Sequence, residues 1–425
     1  MKAFRSILAI ILVAFAIPVR ADSLVVTRPA NIRVSASGSS DIVGTAKAGD
    51  TLYLLSDAQQ NGYFNVRAPN RAIEGWIYRT LVRRYRDGTV SGKQASTGDL
   101  KIRVLDVGVG LCVVMSLPNH KYLIYDAGDQ QWNLHATLPA IEKIIPKGSV
   151  VEQLILSHND GDHIYAVTDI IGAYKVKKIF YTGYDASALP NPKEQSGTYT
   201  KMVGVFEHPP YPIEIVNLHD PPRSITPGTT NTFDDVRLEF LCGFGEPMQD
   251  WDLKDDGEYL NSVSIVVRVV YQNVSVLLAG DAVGRHREDK NTDALIATEK
   301  FLVENAGLWL NSDILVAPHH GGNNGSSTAF INKVTPAVVI FSAGHDNQHP
   351  TQAAAERYLR TVKPDSIFRT DRGDDEGAYT GCCPEWTYGR IQGCRDPIGD
   401  DDVEITVSGN GVYTVRYLQE NGQCK

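Results

Sequence analysis

The segment Ser157-His158-Asn159-Asp160-Gly161-Asp162-His163 puts two imidazoles and two carboxylates within six residues. Imidazole nitrogen and carboxylate oxygen at close to 2 Å are what a divalent metal ion takes as ligands. A second signal is Asp281, which closes the apolar run Val276-Leu277-Leu278-Ala279-Gly280. A carboxylate at the end of a buried strand is costly unless something pairs with it, and a cation would. The His319-His320 pair adds two more imidazoles, one suited to ligation and the other to an ordinary buried role; the residues alone leave open which is which. The plain alternative is a solvated acidic loop with incidental histidines, and the apolar residues on both sides of His158–His163 speak against it.

These side chains need elements to position them. Gln153–Leu156 is a short apolar strand leading straight into the segment. Ile164, Val167, Ile170 and Ile171 follow at helical spacing. A strand end delivers side chains to a cleft, and a tight turn at Gly161 lets alternate residues face one or two ions. Around this core, strand-like runs at Ile102–Leu105, Cys112–Leu117, Tyr122–Tyr125, Val236–Leu241, Ser262–Tyr271, Val274–Leu278, Ile314–Ala317, Ala337–Phe341 and Ile367–Arg369 alternate with helical stretches such as Ala136–Ile145 and Asp293–Asn305. That is the pattern of an α/β domain, mixed sheets covered by helices. Residues 184–232 are rich in proline and show no clear period, so they read as a long insertion. Residues 23–85 differ: short β-rich runs and turns alternate every eight to twelve positions, as in a small all-β barrel.

The chain of 425 residues is expected to hold two domains. Residues 1–21 read as a signal peptide. Lys2 and Arg5 precede an apolar run from Ile7 to Ile17, and Val19-Arg20-Ala21 offers a cleavage site. The expectation is an exported, periplasmic or secreted protein with no membrane span after cleavage. Residues 86–98 are polar and read as a linker, leaving a domain over 99–372 and a C-terminal extension, 373–425, that completes it. Of the six cysteines, Cys382, Cys383, Cys394 and Cys424 fall in that extension, whereas Cys112 and Cys242 sit in apolar runs. The net charge of −9 gives no global attraction for nucleic acid or anionic membranes. A phosphate-bearing substrate would have to be drawn in locally.

The order of motifs resembles the metallo-β-lactamase superfamily, and within it the hydrolase domain of the ComEC-type competence proteins. The superfamily's HxHxDH is HxDxDH here. Leu105-Asp106-Val107-Gly108-Val109-Gly110, Ile124-Tyr125-Asp126-Ala127-Gly128, Asn261-Ser262-Val263-Ser264, Leu278-Ala279-Gly280-Asp281, Pro318-His319-His320-Gly321, Ser342-Ala343-Gly344 with Asn347 and His349-Pro350, and Arg369-Thr370-Asp371 follow in that domain's order. The resemblance implies a four-layer αββα sandwich. The first barrel, with Asn31-Ile32-Arg33-Val34, Gly62-Tyr63-Phe64 and Gly75-Trp76, resembles the bacterial SH3-like domain, which implies binding to cell wall or to a protein, or a spacer role.

The same resemblance implies two divalent metal ions, zinc with manganese as the alternative. His158, Asp160, Asp162, His163, Asp281 and His319 would be the ligands, with Asp281 bridging. Asp126 would brace the ligand loop. Asp162, His320, His349 and Asn347 would serve catalysis, moving a proton or holding a substrate oxygen while a metal-bound hydroxide attacks. The superfamily's isolated third histidine has no evident counterpart. Asp160 makes the first site rich in carboxylate, and harder ligands favour manganese. Hydrolysis of a phosphodiester, with a nucleotide or DNA as substrate, is the activity expected first. Hydrolysis of another ester, thioester or lactam bond, and a non-catalytic binding module, are the competing readings.

Overall fold

Strands covered on both faces read as unbroken apolar runs, and Val266–Tyr271 and Val274–Leu278 are buried at every residue. A computed structural model of the chain shows what covers them. It describes residues 23–85 except 27, 48–49, 56–58 and 69–72, and residues 98–418 except 130–136, 273, 291–292, 345–347, 373–383 and 390–400. The signal-peptide segment, most of the linker, Asn347, Cys382, Cys383, Cys394 and Cys424 lie outside the described residues. Two compact units separate near residue 90.

The first unit is a seven-stranded antiparallel sheet wrapped on a core that includes Leu24, Ile32, Leu52, Phe64, Val66 and Ile77.

The second unit contains two mixed sheets. In the first, Leu100–Val104, Val113–Ser116 and Tyr122–Tyr125 form an antiparallel meander. Val150–Ile155, Lys178–Tyr181 and Glu214–Asn217 then join parallel to the last of these strands. The C-terminal strand Val403–Val407 pairs with Leu100–Val104, and Tyr413–Tyr417 pairs with it in turn. In the second sheet Val236–Phe244, Val266–Tyr271 and Val274–Leu278 are antiparallel. Ile314–Val316, Val338–Phe341 and Ile367–Arg369 continue it in parallel. Side chains alternate along a strand, so each sheet turns one apolar face to the other sheet and one outward. Val104, Met115, Leu123, Leu238, Val267 and Val276 meet between the sheets. Ile124 and Leu154 are covered outside by helical residues such as Ile141, Ile170 and Met202. Leu277, Leu315 and Val339 are covered by Leu302, Phe330 and Tyr358. The architecture is the αββα sandwich.

Residues 184–232 depart from the reading as an insertion. Helix Gly197–Glu207, capped by the Ser196 hydroxyl accepting from Tyr199 N, lays Tyr199, Met202 and Phe206 on the first sheet. It delivers the strand Glu214–Asn217 in register with Lys178–Tyr181. The prolines that hid these elements, Pro190, Pro192, Pro209, Pro210 and Pro212, sit in the connections rather than within them.

Polar bonds also tie the two sheets together at the edge where the functional segments emerge, among them Ile265 N donating to the Ser157 carbonyl at 2.8 Å. The Tyr125 hydroxyl donates to the Ile265 carbonyl at 2.8 Å, in full burial. Replacing Tyr125 with Phe strands that carbonyl and is expected to cost about 1–3 kcal/mol. Urea unfolding should show the midpoint lowered with far-UV circular dichroism unchanged; an unchanged midpoint would refute the tie.

Candidate metal centre

The site is built where strands of both sheets end. After Val150–Ile155 the chain turns through His158 and Asp160 into a single helical turn, Gly161–Ile164, which carries Asp162 and His163. Strand Val274–Leu278 ends three residues before Asp281, and Ile314–Val316 ends just before His319-His320. The segment packs so closely on Asp126-Ala127-Gly128 that a Cβ on Gly128 would fall 1.7 Å from the Asp162 carbonyl oxygen. Only glycine fits there.

Seven side chains converge: those of His158, Asp160, Asp162, His163, Asp281, His319 and His320. His158 and His163 are fully buried and Asp281 and His320 nearly so. The side chains of Asp160 and Asp162 are about one-third exposed, at 33 % and 36 %. The Asp281 carboxylate divides the imidazoles. Its Oδ1 lies 3.2 Å from His163 Nε2 and 3.6 Å from His320 Nε2. Its Oδ2 lies 3.9 Å from His158 Nε2 and 3.5 Å from His319 Nε2. Asp160 Oδ2 is 3.6 Å from His158 Nε2, and Asp162 Oδ2 is 3.4 Å from His320 Nε2 and 3.9 Å from His163 Nε2.

The outer nitrogens of three of these rings, His158, His163 and His320, are already engaged, which fixes what their inner ones present. His163 Nδ1 lies 2.9 Å from Asp126 Oδ2, an acceptor, so Nδ1 carries the proton. His320 Nδ1 lies 2.7 Å from the Ser342 carbonyl oxygen, with the same consequence. His158 Nδ1 lies 3.0 Å from the Ser157 hydroxyl, which donates to Asp126 Oδ2 and is left to accept. In their neutral forms, therefore, all three imidazoles turn an Nε2 lone pair toward carboxylates. His163 Nε2 and His320 Nε2 even face each other at 3.2 Å. Lone pairs and carboxylates gathered this way repel unless a cation lies among them. Ligand atoms about 2.1 Å from a tetrahedral ion stand roughly 3.4 Å apart, close to the spacings here. Two groups meet the requirement, His158 with His163 and Asp281, and Asp162 with His163 and His320. The residues fit divalent metal.

Without a cation, protons must do its work. Burial alone would raise Asp162, but His163 and the hydrogen bond from His320 outweigh it and bring its carboxyl down to about 2. Asp281 is likewise held low against burial by His163, His319 and His320. His163 is driven up against burial by Asp281, Asp126 and Asp162. His349 goes the other way, to about 3, because desolvation and the neighbouring His319 and His320 oppose its charge. Its ring is edge-on to His319, with centroids 5.6 Å apart.

Sequence reasoning put His319 among the ligands and His320 among the catalytic groups. In the structure His320 completes the Asp162–His163 group, and His319 stands on the His158 side of Asp281. It also missed Asn261 as part of the cluster. One end of that amide lies 3.4 Å from Asp281 Oδ2. With its nitrogen turned to the other side, it donates to Asp160 Oδ2 at 3.0 Å and to the Gly257 carbonyl at 3.1 Å. The available signal was its place in the chain, between the HxDxDH segment and Asp281. Asp126, expected as a brace, accepts from Ser157 N at 2.6 Å as well as from the Ser157 hydroxyl and His163.

The histidine pair depends on a clamp. His319 and His320 have φ of 50° and 55°, and Gly321 follows at 85°. Two non-glycine residues in this region cost on the order of 1 kcal/mol each or more. The loop after them is pinned by Glu299, whose oxygens accept from Ser326 N at 2.6 Å and Ser327 N at 2.8 Å. Arg357 donates to the carbonyls of Ser326, Gly325 and Asn323.

The family model of the metallo-beta-lactamase superfamily matches residues 105–345. The chain belongs to that superfamily. It is 26 % identical to the competence protein ComA of Neisseria gonorrhoeae over 275 residues, 64 % of this chain and 31 % of that protein. It is also 26 % identical to recombination protein 2 of Haemophilus influenzae over 315 residues, 71 % of this chain and 33 % of that one. The chain thus spans about a third of the length of these relatives. Among solved structures, a diphosphatase of the PhnP family is similar at 12 % identity and a TM-score of 0.35, covering 68 % of this chain and 100 % of that one. The metallo hydrolase Igni18 of Ignicoccus hospitalis is similar at 14 % and 0.34, covering 62 % and 94 %.

Burial pushes the Glu299 carboxyl up from 4.5 to about 7, against the pull of Ser327, Ser326 and Arg357. A carboxyl raised on folding is protonated in the folded chain and ionised in the unfolded one between those values. Stability is therefore lost as pH rises from about 4.5 to about 7, by up to about 3 kcal/mol. Unfolding free energies at pH 5 and pH 8 should show this loss in the wild type relative to Glu299→Gln; parallel pH profiles would refute it.

Proposed function

We propose that the centre binds two divalent metal ions and hydrolyses phosphodiesters. The observation that carries this is the split of the Asp281 carboxylate, with His163 and His320 on Oδ1 and His158 and His319 on Oδ2. One ion would be held by His158, Asp160, Asp281 Oδ2 and His319, the last standing in for the superfamily's missing histidine. The other would be held by Asp162, His163, His320 and Asp281 Oδ1. Zinc is the first choice and manganese the second, because Asp160 and Asp281 weight the first group toward oxygen. When bound, two such ions supply a water nucleophile at neutral pH and neutralise charge developing on a phosphoryl oxygen.

The chain's own residues do the rest. Substrate enters past Asp160 and Asp162, because His158, His163 and Asp281 are closed to solvent. Asp162, or Asp160, takes the proton of the attacking water. His349 and Asn347 hold a phosphoryl or leaving-group oxygen, His349 as a neutral imidazole beside His319. Asn261 fixes the Asp160 carboxylate. Asp126 locks the Nδ1–H form of His163, and loss of such an outer partner typically costs about 10–100-fold in metal affinity or activity. The phosphodiester reading over another ester, thioester or lactam is supported by the kinship with competence and recombination proteins.

The seven-stranded N-terminal unit is read as a bacterial SH3-like module, over residues 23–85, that binds cell wall or a protein. Phe64 lies in its core. Residues 1–21 are read as a signal for export to the periplasm or beyond, with 86–98 as linker, 99–372 as the hydrolase domain and 373–425 as its completing extension. Among the described residues no helix is long and apolar enough to cross a membrane.

With added zinc or manganese, the full chain should hydrolyse bis-p-nitrophenyl phosphate. Asp162→Ala and Asp281→Ala should each lose at least about 100-fold in kcat/KM. Turnover equal to wild type in both variants would remove the centre from catalysis. Turnover of a thioester or lactone but no phosphodiester would replace the substrate class.

A further inference from the structure

Beside the metal centre lies a cavity of about 290 Å³ whose walls include Tyr184, Trp251, Tyr259, Met248 and Gln249. Topology puts it at the same edge of the sandwich. Strand Lys178–Tyr181 runs parallel to Val150–Ile155, so Tyr184 emerges next to the ligand segment, and Asn159 Nδ2 donates to the Tyr184 carbonyl at 2.8 Å. Strands Val236–Phe244 and Val274–Leu278 are both antiparallel to Val266–Tyr271, so they run the same way. The loop that follows the first, bearing Trp251, therefore leaves at the same edge as Asp281. Tyr259 sits on the helix Asp256–Ser262, which also carries Asn261.

The lining holds no Lys, Arg or His, so a phosphate has no counter-charge there. What it offers is flat aromatic surface with polar tips: the Trp251 indole, held edge-on by Phe244 at 5.0 Å, two phenols, and the Gln249 amide. Aromatic faces stack any base, and an amide can meet a base edge. The lone carboxylate, Glu246, is half-exposed and stands 3.8 Å from His219 Nδ1.

We infer that this cavity takes the nucleobase of a nucleotide, or of the terminal nucleotide of a strand, while the phosphate lies at the Asp–His centre. The inference deepens the phosphodiesterase reading and rests on it for the placement of the phosphate.

Calorimetric titration of the metal-loaded full chain with a nucleoside 5′-monophosphate, ribose 5-phosphate and phosphocholine tests it. The nucleotide should bind about tenfold or more tighter than ribose 5-phosphate. Trp251→Ala, which removes a stacking face, should abolish that ratio. So should Ala188→Phe, which fills the cavity while leaving the Phe244–Trp251 packing in place. Equal affinities in the wild type, tighter binding of phosphocholine, or an unchanged ratio in a folded Ala188→Phe would each overturn the inference. The two readings fail separately: hydrolysis of bis-p-nitrophenyl phosphate without base discrimination would sink the nucleobase subsite alone. Base discrimination without turnover of any phosphodiester would sink the hydrolytic reading and leave the subsite standing.

Discussion

Everything at the functional edge of this sandwich answers to one electrostatic constraint. Three carboxylates and the Nε2 atoms of four imidazoles point into one small, largely dry volume. The outer nitrogens of His158, His163 and His320 are held by Ser157, Asp126 and the Ser342 carbonyl. Bare, such an assembly is held together only by pulling protons onto histidines that burial would rather keep neutral. Cations would resolve the conflict, and the sandwich supplies the rigidity that keeps the side chains together without them.

That rigidity has a visible source. The ligands come from strand ends of both sheets, and the sheets are locked by interdigitated side chains and by Tyr125 reaching across to Ile265. The histidine pair is the exception, because it sits on a loop in a left-handed backbone conformation. Its order is maintained from behind by Glu299 and Arg357, neither of which touches the ligands. A cost in backbone strain and in a buried carboxyl is thus accepted where it fixes His319 and His320 on opposite sides of Asp281.

The sequence made much of this legible. The apolar strand before His158, the aspartate closing an apolar strand at Asp281, and the unbroken apolar runs of the central strands are local signals, and they mark both the sandwich and most of the cluster. What stayed hidden depends on contacts made at long range. No spacing rule says which member of an adjacent histidine pair faces which oxygen of Asp281; that follows from backbone angles fixed by Glu299, Arg357 and Ser342. Asn261 opens one of the shared motifs but had no role attached to it, because only helix Asp256–Ser262 carries it to Asp160. The helix and edge strand within 184–232 were masked because prolines crowd their connections, which hides a period without breaking it.

The central claim is that this cluster is a two-ion site, and metal stoichiometry tests it most directly. Metal-stripped full chain would be titrated with Zn²⁺ and with Mn²⁺ by calorimetry, with native mass spectrometry and melting temperature read on the same samples. Two ions per chain and a raised melting temperature are expected. The stoichiometry should fall to one or none in Asp281→Ala, because that carboxylate would serve both ions. A chain that binds neither metal and melts at the same temperature with and without it would contradict the claim.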